Sequence, residues 1–175
     1  MDIRLGKLIW ITGLSGSGKT TIGKKVYHAL KKKYINTIFL DGDDFRQIFD
    51  NDLKYSLQDR LQNAKRIHRM CKFLISQNFH VVCATISLFK EIHKLNKAKI
   101  KNYYDIYIEC QEEELIKRNQ KNLYKQALMK KRKDVVGINY EYDIPPNPKL
   151  ILDNNKKNNL KKKVEIIMNA IKENN

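Results

Sequence analysis

The sequence contains few residues of the kinds that cross-link or break a fold: 3 cysteines, 3 prolines and 7 glycines among 175 residues. Cys71, Cys83 and Cys110 are odd in number and far apart along the chain, which argues against a disulfide scaffold and against a zinc site. We therefore expect a protein of the reducing cytoplasm. Because glycine is scarce, any cluster of glycines is informative.

Long hydrophobic runs are also absent. No apolar stretch approaches the roughly 20 residues that span a bilayer, and the run at residues 8–11 is too short for a cleavable signal. We therefore expect no membrane partner. Hydrophobic residues still make up 42% of the chain, which is typical of a globular protein and not of a disordered one. The length predicts a single domain over residues 1–175.

Acidic residues are outnumbered, with 19 Asp and Glu against 35 Lys and Arg and a net charge of +16. Only 7 of the basic residues are arginine, the side chain whose planar fork matches base edges and phosphates. There is no helix-turn-helix pattern and no aromatic-studded RNA-binding strand. We therefore expect no specific nucleic-acid partner, and we interpret the charge as a general attraction for anionic substrates.

His28, His68, His80 and His93 show no metal-ligand spacing and are predicted to lie on the surface or on helix faces.

Short apolar runs alternate with stretches of helical periodicity. Predicted strands cover residues 7–12, 37–40, 79–86, 104–108 and 149–152, and predicted helices cover residues 19–33, 57–74, 112–118 and 160–171. This alternation predicts an α/β fold with a parallel sheet of about five strands, right-handed crossovers and flanking helices. Ligands of such sheets bind at the carboxyl ends of the strands.

A glycine cluster follows the first predicted strand. The sequence GLSGSGKT at residues 13–20 matches G-x-x-x-x-G-K-[ST] at every fixed position and leads into a predicted helix. Its glycines allow backbone N–H groups to approach phosphate oxygens, and the helix N-terminus favours anions. We expect Lys19 to reach the β- and γ-phosphates of ATP and the Thr20 hydroxyl to bind Mg²⁺. The predicted ATP-binding residues are Gly13, Ser15, Gly16, Ser17, Gly18, Lys19, Thr20 and Thr21.

A pair of carboxylates, Asp41 and Asp43, directly follows the second predicted strand. Carboxylates two residues apart at a strand end can face the same crevice. One can hold Mg²⁺ through its water shell, since hard cations prefer oxygen ligands. The other can accept the proton of an attacking hydroxyl. We assign the metal to Asp41, together with Thr20. A plain turn and helix cap would also use Asp and Gly here.

The segments that carry chemistry follow one another as in a known enzyme family. They are GLSGSGKTTI at 13–22, LDGD at 40–43, CATIS at 83–87, LYK at 123–125 and VGI at 136–138, with Arg46, Tyr55, Ser56, Asp59, Arg60, Asn63, Lys121, Tyr142, Pro145 and Pro148. In this order the sequence resembles the adenylylsulfate kinase (APS kinase) family over roughly residues 5–155. A phosphate cradle alone is generic, whereas the whole series is specific.

The resemblance implies a P-loop kinase that transfers a phosphoryl group from MgATP to the 3′-hydroxyl of a nucleotide's ribose. Carried over by position, Asp43 corresponds to the residue that contacts and activates that hydroxyl, so Asp43 and Lys19 are the expected catalytic residues. The other acceptor-site residues it implies are Arg46, Tyr55, Arg60, Asn63, Ile86, Ser87, Lys121 and Val135. Residues 119–137 resemble the family's mobile lid, being basic, polar and poor in apolar anchors. Dimers are common in the family, which allows a homodimer here.

The departures from the family pattern lie on the acceptor side. Family members hold the acceptor's adenine between two aromatic rings; Tyr55 matches one of them, but Val135 stands where the other is Phe. Asn122 replaces a glycine of the lid, and Leu88 stands where proline is usual. Since stacking on an aromatic ring is worth about 1–3 kcal/mol per base, the missing ring weakens adenine binding about tenfold or more.

We therefore expect an altered acceptor with a smaller pyrimidine base. The favoured one is cytidine 5′-diphosphoramidate, which a divergent branch of the family phosphorylates in capsular phosphoramidate biosynthesis. The first alternative is adenylylsulfate, with 3′-phosphoadenylylsulfate (PAPS) as product. The second is a non-catalytic nucleotide-binding module, which the retention of Asp41, Asp43 and the arginines disfavours.

Overall fold

The computed structural model describes residues 6–172. Its centre is a sheet of five strands, all parallel, in the order β2-β3-β1-β4-β5. The strands are β1 Leu8–Thr12, β2 Thr37–Asp41, β3 His80–Ala84, β4 Tyr103–Glu109 and β5 Leu150–Asp153. The predicted α/β fold with a parallel sheet is confirmed, and each predicted strand lies within two residues of an observed one.

Helices connect the strands and cover both faces of the sheet. They are α1 Lys19–Lys31, α2 Gly42–Ile48, α3 Leu57–Ser76, α4 Lys90–Lys99, α5 Glu112–Arg118, α6 Leu123–Leu128 and α7 Leu160–Ala170, with a 3₁₀ turn at Gln120–Asn122. The pattern of the sequence did not predict α4, and it treated the start of α2 only as a turn or cap. Within residues 6–172, no helix is both long and apolar enough to cross a membrane.

The central strand β1 separates two halves of the core. Ile9 and Ile11 face a cluster with apolar residues of α1 and α7, whereas Leu8 and Trp10 face a cluster with α3 and α4. All four side chains are fully buried. This is the alternation expected of a strand whose two faces are both covered. Because the five strands are parallel, the loops at their carboxyl ends lie on one rim of the sheet.

Three of the four histidines are buried. His68 lies on a face of α3 and His93 on a face of α4, as predicted, but His80 lies on β3, so its predicted position is wrong. His68, His80 and His93 are each less than a tenth exposed. His93 Nδ1 lies 2.7 Å from Asp105 Oδ2, a partner on β4 that hydrogen-bonds it in the core. The burial of these polar rings depends on such partners from distant elements, which a single-sequence pattern does not display.

The lid segment, residues 119–137, contains more apolar anchors than expected. Tyr124 and Ala127 of α6 are buried, and they pack in one cluster with Val135 and Val136. The expectation of few apolar anchors is therefore wrong. The turn that leads into α6 has left-handed backbone at Lys121 (φ 53°) and Asn122 (φ 58°). Asparagine tolerates this conformation better than most residues, which explains how it replaces a glycine here.

Candidate active site

A cavity of about 390 Å³ opens at the carboxyl ends of the strands, between the P-loop, α2, α3 and the lid. Almost every residue proposed from the sequence lines it. The exceptions are Gly13 and Ser17, which belong to the same loop but lie behind its inner surface. Ser17 is fully buried, and a Cβ at Gly13 would lie only 2.5 Å from the Ile108 carbonyl oxygen. The segments predicted to bind the donor and the acceptor thus meet in one groove.

The P-loop turns tightly before α1. Gly18 has φ 99°, a left-handed conformation that favours glycine, and it is the residue from which α1 begins. The helix carries no acidic residue in its first turn and no side-chain cap at its N-terminus. The backbone N–H groups at this end are therefore directed toward the cavity with no competing carboxylate of their own helix, which suits a phosphate group.

Lys19 is buried at the bottom of the groove. Its Nζ atom donates to the Leu14 carbonyl oxygen at 2.9 Å. Burial lowers the pKa of Lys19 to about 8, although the charges of Asp41 and Asp43 act in the opposite direction. An ammonium group in so poorly solvated a position gains a large stabilisation from a phosphate beside it.

Asp41 and Thr20 form the pair of oxygen donors predicted for a metal. The Thr20 hydroxyl donates to Asp41 Oδ2 at 2.7 Å. The other oxygen of the carboxylate accepts from the Asp43 backbone N–H at 2.9 Å, so that Asp41 also caps α2. Within the described residues 6–172, no group of three or more His, Cys, Asp or Glu side chains has the geometry of a metal site. The donors that are present fit Mg²⁺, which binds few protein oxygens and completes its shell with phosphate and water.

Asp43 lies in the first turn of α2 and lines the groove. Its Oδ2 atom is 2.8 Å from Nζ of Lys121, which comes from the 3₁₀ turn of the lid. This contact raises the pKa of Lys121. The proposed base and the proposed acceptor-binding lysine thus face each other across the opening of the groove.

Two arginines surround the ring of Tyr55 on the acceptor side. The guanidinium carbons of Arg46 and Arg60 lie 4.9 and 5.2 Å from the ring centroid. Arg46 donates to the carbonyl oxygens of Leu53 and Lys54, and Arg60 donates to that of Tyr55. Burial, and then the neighbouring charge of Arg46, lower the pKa of Arg60. Two cations bonded to neutral carbonyl groups form a strong site for an anion.

The remaining predicted acceptor residues line the same side of the groove. Asn63 of α3 is buried, and so is Val135 of the lid. Ile86 and Ser87 follow β3, and Ser87 Oγ lies 2.8 Å from Thr85 Oγ1. The groove therefore combines the rings of Tyr55 and Phe89 with aliphatic side chains.

Three residues that support the P-loop were given no such role from the sequence. Arg118, at the end of α5, donates to the carbonyl oxygens of Gly16 and Asn154. Asn154 donates to the Ser17 carbonyl oxygen at 2.5 Å, and Tyr124 of the lid donates to that of Ser15 at 2.7 Å. The sequence marked only Tyr124 in advance, as part of the LYK segment at 123–125, and assigned it no role. Their role is positional, since each bonds the loop's backbone from outside.

Residues 5–153 match the family model described as adenylylsulphate kinase. The chain belongs to this family. Family membership confirms the predicted P-loop kinase, an enzyme that transfers a phosphoryl group to a hydroxyl acceptor.

Individual relatives cover nearly the whole chain. The chain is 47% identical to the cytidine diphosphoramidate kinase of Campylobacter jejuni subsp. jejuni serotype O:2, over 94% of this chain and 95% of the relative. It is 34% identical to the adenylyl-sulfate kinase of Clostridium kluyveri, over 86% of this chain and 76% of that one. Its structure resembles that of the Mycobacterium tuberculosis APS kinase CysC in complex with AMPPNP and APS, with a TM-score of 0.86, 27% identity and coverage of 96% and 98%.

Proposed function

We propose that this kinase transfers the γ-phosphate of ATP to the ribose 3′-hydroxyl of cytidine 5′-diphosphoramidate. The observation that carries the acceptor is the 47% identity to the Campylobacter jejuni cytidine diphosphoramidate kinase, over 94% of the chain. The adenylyl-sulfate kinase of Clostridium kluyveri is 34% identical. The acceptor pocket supports the same choice at one position, because Val135 stands where the family has a stacking Phe, while Tyr55 and Phe89 are the aromatic side chains that line the groove.

The donor half of the groove is suited to the triphosphate. The P-loop N–H groups bind the phosphate oxygens. The Lys19 ammonium stays beside the γ-phosphate and stabilises the negative charge that develops on the bridging oxygen during transfer. Thr20 and Asp41 are the residues that would hold Mg²⁺. When bound, this ion neutralises charge between the β- and γ-phosphates.

The acceptor half positions the attacking hydroxyl. Arg46 and Arg60 bind the anionic 5′ group, and Tyr55 stacks against the base. The ribose then lies between these residues and the P-loop, where Asp43 accepts a hydrogen bond from the 3′-hydroxyl. Asp43 takes the proton as the oxygen attacks the γ-phosphorus, and the bond from that phosphorus to the β,γ-bridging oxygen breaks to release ADP. Lys121 reaches the same region from the lid. In-line transfer between two substrates held in this way needs no covalent enzyme intermediate.

Adenylylsulfate is the second candidate acceptor. It is favoured by the family model and by the likeness to an APS kinase in complex with APS. The 5′ groups of the two acceptors are similar anions, so the two arginines suit either. The discrimination therefore depends on the base.

An assay that couples ADP release to a spectroscopic signal, with each acceptor offered in turn, tests the proposal. We expect kcat/KM for cytidine 5′-diphosphoramidate to exceed that for adenylylsulfate by about tenfold or more, the value of one lost stacking ring. Mass spectrometry of the product should show one added phosphate on the ribose. A higher kcat/KM for adenylylsulfate would make the enzyme an APS kinase, and no turnover of either nucleotide would contradict both assignments.

A further inference from the structure

Arg132 is a third arginine beside Tyr55. It follows α6 in the lid and lines the groove, with its guanidinium carbon 5.8 Å from the centroid of the Tyr55 ring. Its side chain is 32% exposed, which leaves it partly accessible from the groove. A base stacked on Tyr55 would therefore lie within reach of Arg132.

Asp134 fixes the orientation of this guanidinium. Arg132 Nε lies 2.5 Å from Asp134 Oδ1, and its Nη2 lies 3.0 Å from Oδ2. The Asp134 backbone carbonyl in turn accepts from Arg60 Nη2 at 2.8 Å. This chain of contacts ties the lid arginine to the acceptor pocket. One edge of the guanidinium is occupied by the carboxylate, so that the Nη1 group and the second N–H of Nη2 form the edge that can still donate.

Arg132 differs from Arg46 and Arg60 in the charge of its hydrogen-bond partner. Those two arginines bond to neutral carbonyl oxygens, and their net positive charge suits the acceptor's anionic 5′ group. The charge of Arg132 is compensated by a carboxylate at bonding distance. A compensated guanidinium attracts a further anion weakly, but it keeps two parallel N–H donors in a fixed plane, which is the geometry for recognising a neutral pair of acceptor atoms.

Among the two candidate bases, only cytosine offers such a pair. Its O2 and N3 atoms are adjacent acceptors on one edge. Adenine presents an acceptor next to an amino donor both at N1 and at N7. One N–H of the guanidinium would therefore face the N–H of the adenine amino group, and these two donors cannot bond to each other. A site built to donate twice therefore binds cytosine and leaves one donor unpaired against adenine, which is how polar sites reject a wrong substrate.

We propose that Arg132, oriented by Asp134, reads the base of the acceptor by donating two hydrogen bonds to O2 and N3 of cytosine. The inference rests on the proposed function and deepens it, because it assigns the choice of base to a residue outside the segments that match the family. Tyr55 supplies the stacking surface, and Arg132 supplies the discrimination.

The test compares kcat/KM for cytidine 5′-diphosphoramidate and for adenylylsulfate in wild-type enzyme and in Arg132→Ala. We expect Arg132→Ala to lose about 10- to 100-fold in kcat/KM for the cytidine acceptor, the value of a good bidentate base contact, while kcat/KM for adenylylsulfate is unchanged or rises. Arg132→Lys should lose nearly as much, because an ammonium keeps the charge but not the fork. The matched control is Lys133→Ala, which removes one exposed cation next to Arg132 but outside the groove; it should leave the ratio of the two kcat/KM values unchanged.

Asp134→Asn is the second variant, which keeps the test decisive if Arg132→Ala does not fold. It should lower the same ratio by loosening the fork, with the thermal unfolding temperature as the check on folding. Equal losses for both acceptors in either folded variant would overturn the role of Arg132 and leave the proposed function intact. A wild-type enzyme that fails to phosphorylate the cytidine acceptor would overturn the proposed function itself, and the base-reading role with it. Failure of the base-reading role therefore shows in the variants, and failure of the proposed function shows in the wild-type enzyme.

Discussion

Nζ of Lys121 lies 2.8 Å from Oδ2 of Asp43, joining the lid to the first turn of α2 across the opening of the groove. Both side chains are more than 60% exposed, at 63% and 64%. An exposed pair of this kind contributes only about 0.2–1 kcal/mol to stability. The contact is therefore easily exchanged for contacts with a substrate, as the proposed mechanism requires of Asp43 and Lys121.

Lys121→Ala should impair the reaction much more than the fold. We expect the free energy of unfolding to change by less than about 1 kcal/mol, the usual limit for an exposed pair. The KM for the acceptor should rise about tenfold, because the lid loses a charge-assisted hydrogen bond to the nucleotide. The measurements are urea unfolding and initial rates at saturating ATP. Lys125→Ala is the control, since this residue is exposed on α6 and does not line the groove. If both variants raise the KM equally, the effect is one of overall charge.

Asp43→Asn should abolish phosphoryl transfer while ATP affinity is retained. The amide keeps the shape of the side chain but does not accept the proton of the attacking hydroxyl, and the loss of such a base costs roughly 10²–10⁴-fold in rate. Single-turnover rates give the chemical step, and titration with AMPPNP gives the affinity of the donor half. The neighbouring Asp44→Asn changes charge in the same turn of α2, outside the groove, and should leave both values unchanged. Undiminished turnover of Asp43→Asn would remove Asp43 from the mechanism.

The parts of the fold that a local pattern encodes were predictable. The P-loop is a contiguous motif, and the strands are short apolar runs. Helix α4 was missed because its buried face includes His93 and Asn96 beside Ile92. Two polar side chains on the inner face hide the helical period of hydrophobicity, and they can be buried only because partners such as Asp105 and His68 lie opposite them.

In the candidate site too, local motifs were predictable from the sequence and contacts between distant residues were not. The segments that line the groove could be proposed because each follows a strand or matches a motif. The contacts that hold the groove together could not, because they join residues far apart in sequence. Tyr124 bonds to Ser15 across 109 positions, and Arg118 bonds to Gly16 across 102. Their partners are backbone carbonyl oxygens, which carry no residue identity that a sequence pattern can reveal.

Arg118→Lys tests the support of the P-loop. The guanidinium bonds to Gly16, to Asn154 and, through Nε, to Glu114, and lysine has no fork to replace these contacts. Because charged hydrogen bonds are worth about 1.5–3 kcal/mol each, we expect the free energy of unfolding to fall by about 2–3 kcal/mol. The KM for ATP should rise as the loop loosens. Arg69→Lys, at an exposed position of α3, is the control and should change neither value. A destabilised protein with an unaltered KM for ATP would limit Arg118 to a structural role.

The lowered pKa of Lys19 predicts a specific dependence of ATP use on pH. Burial brings this pKa from 10.5 to about 8 in the ligand-free enzyme, so the cationic form that attracts phosphate is complete below that pH and is lost as the pH rises through it. We therefore expect kcat/KM for ATP, which reports the free enzyme, to be level near pH 7 and to fall about tenfold per unit above about pH 8. Bound triphosphate stabilises the ammonium and raises its pKa, so kcat at saturating ATP should stay level to a higher pH. Initial rates between about pH 6.5 and 9.5 measure both profiles. A fall in kcat at the same pH as in kcat/KM would show that a group other than Lys19 controls the decline.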